Sequence, residues 1–214
     1  RQLGRACEAL YRQIIADCTN IAPADLTWQY VSTGSGGRSE VLTLDAKIAL
    51  ADLQSEQRRR MRRWMKDCIA KLPMPSSKID TLLGAVFEIR QGYKTKDSKR
   101  QNADLRFANR ALGEDFLPVM MLASAQVDQD VYRRYIGANL HVLVGSRHFD
   151  AALSTFAFFD RVLGYDLIAF YERNASAIKN EMEAIFKKIL SPSDPEGPPD
   201  TMDDGSEETT SLDD

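Results

Sequence analysis

Cysteine and histidine are both scarce in this 214-residue chain: Cys7, Cys18 and Cys68, and His141 and His148. The cysteines are odd in number and none stand in a CxxC spacing, so neither a disulfide framework nor a zinc site is indicated. Cys7 and Cys68 read instead as apolar helix residues. With no His–Ser or His–Cys pairing, nucleophilic triad chemistry has no support. His141, inside LHVLV, reads as a sheet histidine, and His148 as a surface residue at a helix start. The chain lacks a run of roughly 20 apolar residues and lacks a signal-peptide pattern, so we expect a soluble, cytoplasmic protein with no membrane partner. It opens on Arg1 rather than Met, which suggests a fragment of something longer. No internal repeat is visible.

Basic residues are missing altogether from Ser191 to Asp214, where nine Asp or Glu occur. The net charge of −3 therefore misleads. Without that tail the body has 28 basic against 22 acidic residues, a balance of +6, which permits a polyanionic partner. The tail has the composition of a disordered acidic segment. The reading is thus one domain over residues 1–190 and a tail over 191–214, with ample apolar content for a core.

Helical spacing runs from Leu3 to about Cys18 and breaks over Asn20–Asp25. Leu26–Val31 and Glu40–Leu44 read as strands around STGSGGRS. That loop lacks the Lys-Ser/Thr ending of a P-loop and no helix follows it, so it reads as a hairpin tip. Leu44–Leu72 reads as one long helix, capped by Thr43 or Asp45 and stopped by Pro73 and Pro75. Its middle holds Arg58, Arg59, Arg60, Arg62 and Arg63, either a solvated face paired with Glu56 and Asp67 or a stripe for a polyanion. A strand follows over about Gly84–Gln91, then a helix from Ser98 to Leu112. FLPVMMLAS (Phe116–Ser124) and LHVLV (Leu140–Val144) read as strands buried on both faces, with a short helix at Asp128–Ile136 between them. Helices at Asp150–Leu163 and Tyr165–Leu190 complete the chain. The order predicts an α/β fold, a mixed central sheet flanked by helices on both faces.

The chemistry-bearing stretch is Ile79–Asn102, IDTLLGAVFEIRQGYKTKDSKRQN. Strand alternation sets Val86, Glu88 and Arg90 on one face and Phe87 and Ile89 on the other. A carboxylate between two large apolar neighbours is costly to bury, and a divalent metal shared with Asp80 would offset that cost. Lys94, Lys96, Lys99 and Arg100 follow as phosphate-binding donors, and Gln101 and Asn102 carry amides suited to adenine edges. Two carboxylates for Mg²⁺ and then a basic cluster follow the logic of a metal-dependent nuclease. The plain alternatives are Asp80 as a turn cap, Glu88 as a structural ion pair with Arg90 or Arg110, and a merely solvated basic helix face.

The same residues resemble a known family. FEIRQGYKTKDSKRQNAD followed by PVMMLASAQVDQDVYRRYIGANLHVLVGS is similar to the ApaLI-like type II restriction endonucleases of the PD-(D/E)XK nuclease superfamily. The likeness spans about Arg5 to Leu190. It implies a homodimeric endonuclease that cuts double-stranded DNA at a short palindrome with Mg²⁺. Asp80 matches the first acid of the motif and Glu88 the second, both as metal ligands. Arg90 falls where the motif has lysine. The motif lysine positions or activates the attacking water, whereas arginine stays protonated and only stabilises charge. Lys94, Lys96 or Gln91 would then fill the role, with Lys94 and Arg90 counted among the catalytic residues. A non-catalytic nucleic-acid-binding or regulatory module on the same scaffold is the competing reading, and an interaction protein docking through the long helix is a third.

Overall fold

The computed structural model describes residues 2–33, 39–93 and 97–190. The hairpin tip, Lys94 and Lys96, and the acidic tail lie outside the described residues. The chain divides into two compact units, Arg1–Glu172 and Arg173–Asp214; the described part of the second is helical.

Helix α1 spans Gln2–Thr19 and buries Tyr11, Ile14 and Ile15 at helical spacing. The chain then forms an antiparallel ribbon, β1 (Trp28–Thr33) with β2 (Ser39–Leu44), in which Trp28 stacks on Tyr30 with ring centroids 5.0 Å apart. The expected long helix from Leu44 does not form. Ala46–Ala49 is strand β3, a 3₁₀ turn covers Leu50–Asp52, and helix α2 starts only at Ser55 and ends at Ile69. A reciprocal capping box between Gln54 and Gln57 starts α2. Strand β4 (Gly84–Arg90) pairs antiparallel with β3 and parallel with β5 (Phe116–Leu122), which pairs parallel with β6 (His141–Leu143). The sheet order is β3-β4-β5-β6, a mixed four-stranded sheet in an α/β fold.

Gly84 makes the β3–β4 contact possible. A Cβ there would stand 2.1 Å from the Ile48 carbonyl oxygen, a distance only glycine avoids. Helix α3 (Ser98–Gly113) runs between β4 and β5 and α4 (Gln129–Gly137) between β5 and β6, and after β6 come the single turn α5 (Thr155–Phe158), continued by a π-type turn to Leu163, and α6 (Leu167–Leu190). The cap of α3 is Asp97 rather than Ser98, its carboxylate accepting the Lys99 and Arg100 N–H groups.

Two apolar clusters flank the sheet. Phe87 and Ile89 pack with Trp64 and Met65 of α2 and with Ile15 of α1 on one face. Val86, Met120 and Val142 pack with Phe107 of α3, Tyr135 of α4 and the ribbon's Trp28 and Tyr30 on the other. The alternation expected for β4 therefore holds, and Glu88 and Arg90 follow Val86 onto the second face.

Candidate functional site: a carboxylate pair and a buried arginine

Glu88 is half-buried near the C-terminal end of β4. The Arg90 guanidinium donates twice to its Oε1, from Nε at 3.3 Å and Nη2 at 3.1 Å. Burial pushes the Glu88 carboxyl up to about 7; Arg90 pulls it down, and Asp45 and Asp104 push it further up. Desolvation thus outweighs an ion pair in direct contact.

The carboxylate facing Glu88 is Asp45. Ala46 lies opposite Phe87 at the end of the β3–β4 ladder, and Asp45, in the bend just before it, is near enough to raise the Glu88 carboxyl. Asp45 sits where the chain leaves the ribbon for the sheet, its Oδ2 accepting the Ile89 N–H at 2.7 Å. Arg12 of α1 donates to its carbonyl at 2.8 Å and lies 3.5 Å from Oδ1. Burial raises its pKa; the Ile89 N–H opposes, Glu8 of α1 raises it further, and Arg12 and Arg90 lower it.

Asp80 is elsewhere. It ends the 3₁₀ turn Ser76–Asp80 ahead of β4, its side chain is 74% exposed, and it lies 3.4 Å from Arg62. Glu88 follows Gly84 by four strand residues, a run of about 13 Å at ~3.3 Å per residue. The pairing of Asp80 with Glu88 expected from their closeness in sequence is corrected: the strand carries Glu88 away from Asp80 and brings it to Asp45.

Arg90 is 8% exposed and is tied from a second side. Asp104 of α3, 4% exposed, receives Arg90 Nη1 on Oδ2 at 3.1 Å and Nη2 on Oδ1 at 2.5 Å. Its Oδ2 also accepts the hydroxyls of Tyr93 at 3.0 Å and Tyr135 at 2.5 Å. Although burial works against its charge, Asp104 and then Glu88 hold the Arg90 pKa above its ordinary value. The Tyr93 ring lies under two guanidinium groups, Arg90 at 5.2 Å and Arg100 at 5.9 Å.

A polar cleft of about 370 Å³ opens here between Gly4, Arg5 and Glu8 of α1, the β4 exit (Arg90, Gln91, Gly92) and Arg100 of α3. Lys99 and Arg100 are exposed. Gln101 is buried, its carbonyl oxygen accepting Arg134 at 2.6 Å, and the Asn102 carbonyl oxygen accepts the same guanidinium at 2.8 Å. The Gln101 amide is thus engaged inside the protein, whereas Asn102 is exposed and shares only its carbonyl oxygen with Arg134. The arginine run of α2 covers the opposite face of the sheet from Glu88. Arg58 binds the Leu50, Ala51 and Leu53 carbonyls and is structural, while Arg59 is exposed and pairs with Glu56 on the surface.

Among the described residues no group of three or more His, Cys, Asp or Glu is placed to hold a metal. The Asp45–Glu88 pair still fits Mg²⁺, which takes one or two carboxylates and completes its shell with water and substrate phosphate. Both carboxyls are raised by burial and Asp45 raises Glu88, a repulsion that a hard cation relieves. Sequence reasoning missed Asp45, in the bend before β3, and Arg5 and Glu8 on α1, and no local pattern in the sequence joins them to Glu88. No family model, curated protein or solved structure matches the chain. No helix among the described residues is long and apolar enough to cross a membrane.

Proposed function

We propose that the protein is a site-specific, Mg²⁺-dependent DNA endonuclease of the type II restriction kind, with a PD-(D/E)XK-type core that acts on double-stranded DNA as a homodimer. The observation that carries this reading is the Asp45–Glu88 pair. Glu88 stands on β4 and Asp45 in the bend just before β3, both are raised by burial, and Arg90, which holds Glu88, lines a cleft with Arg5 and Arg100. Asp45 takes the role first assigned to Asp80, and Asp45 and Glu88 would hold the metal. Bound Mg²⁺ would supply an acidified water and neutralise charge on the scissile phosphate. Arg5, Lys99 and Arg100 attract the DNA backbone, which gives binding a steep salt dependence. Arg90 keeps Glu88 oriented and adds fixed positive charge to the site.

A non-catalytic DNA-binding module is the second reading, favoured by one observation: Arg90 is committed to Asp104. The test is incubation of the protein with long unmethylated plasmids and Mg²⁺, beside Asp45→Asn, Glu88→Gln and Asp80→Ala. Discrete Mg²⁺-dependent bands, lost in the first two variants and kept in the third, are expected. Uncut plasmid with salt-sensitive binding selects the binding module, and absent binding removes both readings.

A further inference from the structure

We propose that an exposed stripe of α3, formed by Lys99, Asn102, Arg106 and Asn109, holds the phosphate backbone of duplex DNA without reading bases, and that the arginine run of α2 does not. This rests on the reading of DNA as the partner of the site, though not on its cleavage. At 3.6 residues per turn the four positions fall within an arc of roughly 80°, and all four are exposed. The inner side of the helix is spent on the core, where Phe107, Ala108 and Ala111 join the cluster on the Glu88 face of the sheet.

The stripe carries no Asp or Glu of its own. The acids near its ends are engaged: Asp97 accepts the Lys99 and Arg100 N–H groups, and Glu114 pairs with Arg110 at 2.7 Å. Among the described residues no carboxylate pairs with Lys99 or Arg106. A further cation stands beside them from α4. Arg134 donates to the Gln101 and Asn102 carbonyl oxygens, so two neutral amides fix its charge in place without cancelling it. That bond uses the Asn102 oxygen and leaves its NH₂ group as a donor for a phosphate oxygen.

The stripe begins at the site. Arg100, next to Lys99, lines the cleft with Arg90, the residue that holds Glu88. Farther along, Arg106 and Glu88 both act on the Tyr30 hydroxyl: burial raises its pKa, Glu88 raises it further and Arg106 lowers it. From Lys99 to Asn109 the helix rises about 15 Å at ~1.5 Å per residue, the axial rise of roughly four base pairs. A backbone laid along it leads to the cleft.

Helix α2 has more arginines but less free charge. Arg59 and Arg60 lie 2.8 and 3.9 Å from Glu56, Arg62 lies 3.4 Å from Asp80, and Arg58 is spent on backbone carbonyls. A duplex there would compete with those carboxylates and would lie across the sheet from Glu88. Charge complementarity and position both select α3.

The test measures anisotropy of two labelled duplexes of unrelated sequence with the full chain, Ca²⁺ replacing Mg²⁺, across a salt series. It compares Lys99→Gln, Arg106→Gln, their double variant and Asn109→Asp with Arg59→Gln and Arg63→Gln on α2. Each single charge loss on α3 should weaken both duplexes alike, by about five- to tenfold near ~0.1 M salt, and lower the salt slope by about one. The double variant should lower it by about two, Asn109→Asp should weaken both duplexes, and the α2 variants should bind as wild type. Wild-type affinity and slope in the α3 variants overturn the proposal while the DNA reading stands. So does a loss confined to one duplex, which marks a base contact, or a larger loss in the α2 variants. Polyglutamate bound as tightly as the duplexes assigns the stripe to an acidic protein and overturns it too. A wild-type chain that binds no duplex at low salt removes the DNA reading and this surface with it. Superimposable circular dichroism spectra separate lost binding from misfolding.

Discussion

Glu88 and His141 oppose each other in the pH dependence of stability. Burial raises Glu88 from 4.5 to about 7, with Arg90 opposing and Asp45 and Asp104 adding to the rise. Between those values the folded chain holds a proton that the unfolded chain has lost, so stability falls as pH rises through that window. His141 is fully enclosed on the other face of the sheet, its Nε2 at 2.8 Å from the Ala152 carbonyl oxygen. Burial lowers it from 6.5 to about 4, with Ala152 opposing and with Lys71 and Asp150 as its charged neighbours. Between those values the folded chain lacks a proton that the unfolded chain has bound, so stability rises with pH. Each shift corresponds to on the order of 3 kcal/mol, and the two slopes nearly cancel where the windows overlap. Glu88→Gln should therefore expose a rise of that order in unfolding free energy from pH 4 to 6.5. His141→Gln should expose a comparable fall from pH 4.5 to 7. Urea unfolding of the three proteins across this range in EDTA, with a common m-value, isolates the two groups because the other carboxyls contribute equally to all. Parallel curves for the three proteins would refute the opposition.

Two further outcomes follow from the same geometry. Asp104→Ala strands the Arg90 charge and two tyrosine hydroxyls, which should cost about 3–5 kcal/mol, against about 1 kcal/mol for Tyr135→Phe; urea midpoints compare them, and equal losses would refute the network. Mg²⁺ at about 100 times its Kd should add about 2.7 kcal/mol to the wild type; thermal melts with Mg²⁺ and with EDTA should differ for wild type and coincide for Asp45→Asn.

Much of the sheet was legible because its signals are local. The period-two alternation across Val86–Arg90 and the unbroken apolar runs at Phe116 and His141 each specify a strand without reference to anything distant. Ala46–Ala49 was not legible. Its alanines, lysine and leucine flank favour helix and run without a breaker into the real helix at Ser55. The strand forms because β4 offers an edge that Gly84 lets β3 approach closely, and tertiary pairing overrides weak local preference. The burial of Gln101 and the tie of both amide oxygens to Arg134 were hidden for a related reason. Their partner Arg134 lies more than thirty residues on and enters only when α4 is set beside α3.

The same distinction explains why the first acid of the site was sought at Asp80. Sequence proximity to Glu88 is a poor guide on a strand, where each residue adds ~3.3 Å of separation, while pairing with a neighbouring strand brings residues more than forty positions away to about 5 Å. Ala46 meets Phe87 through the β3–β4 register alone, and Asp45, one residue before it, is thereby brought to the Ile89 N–H and to the Glu88 carboxyl whose pKa it raises.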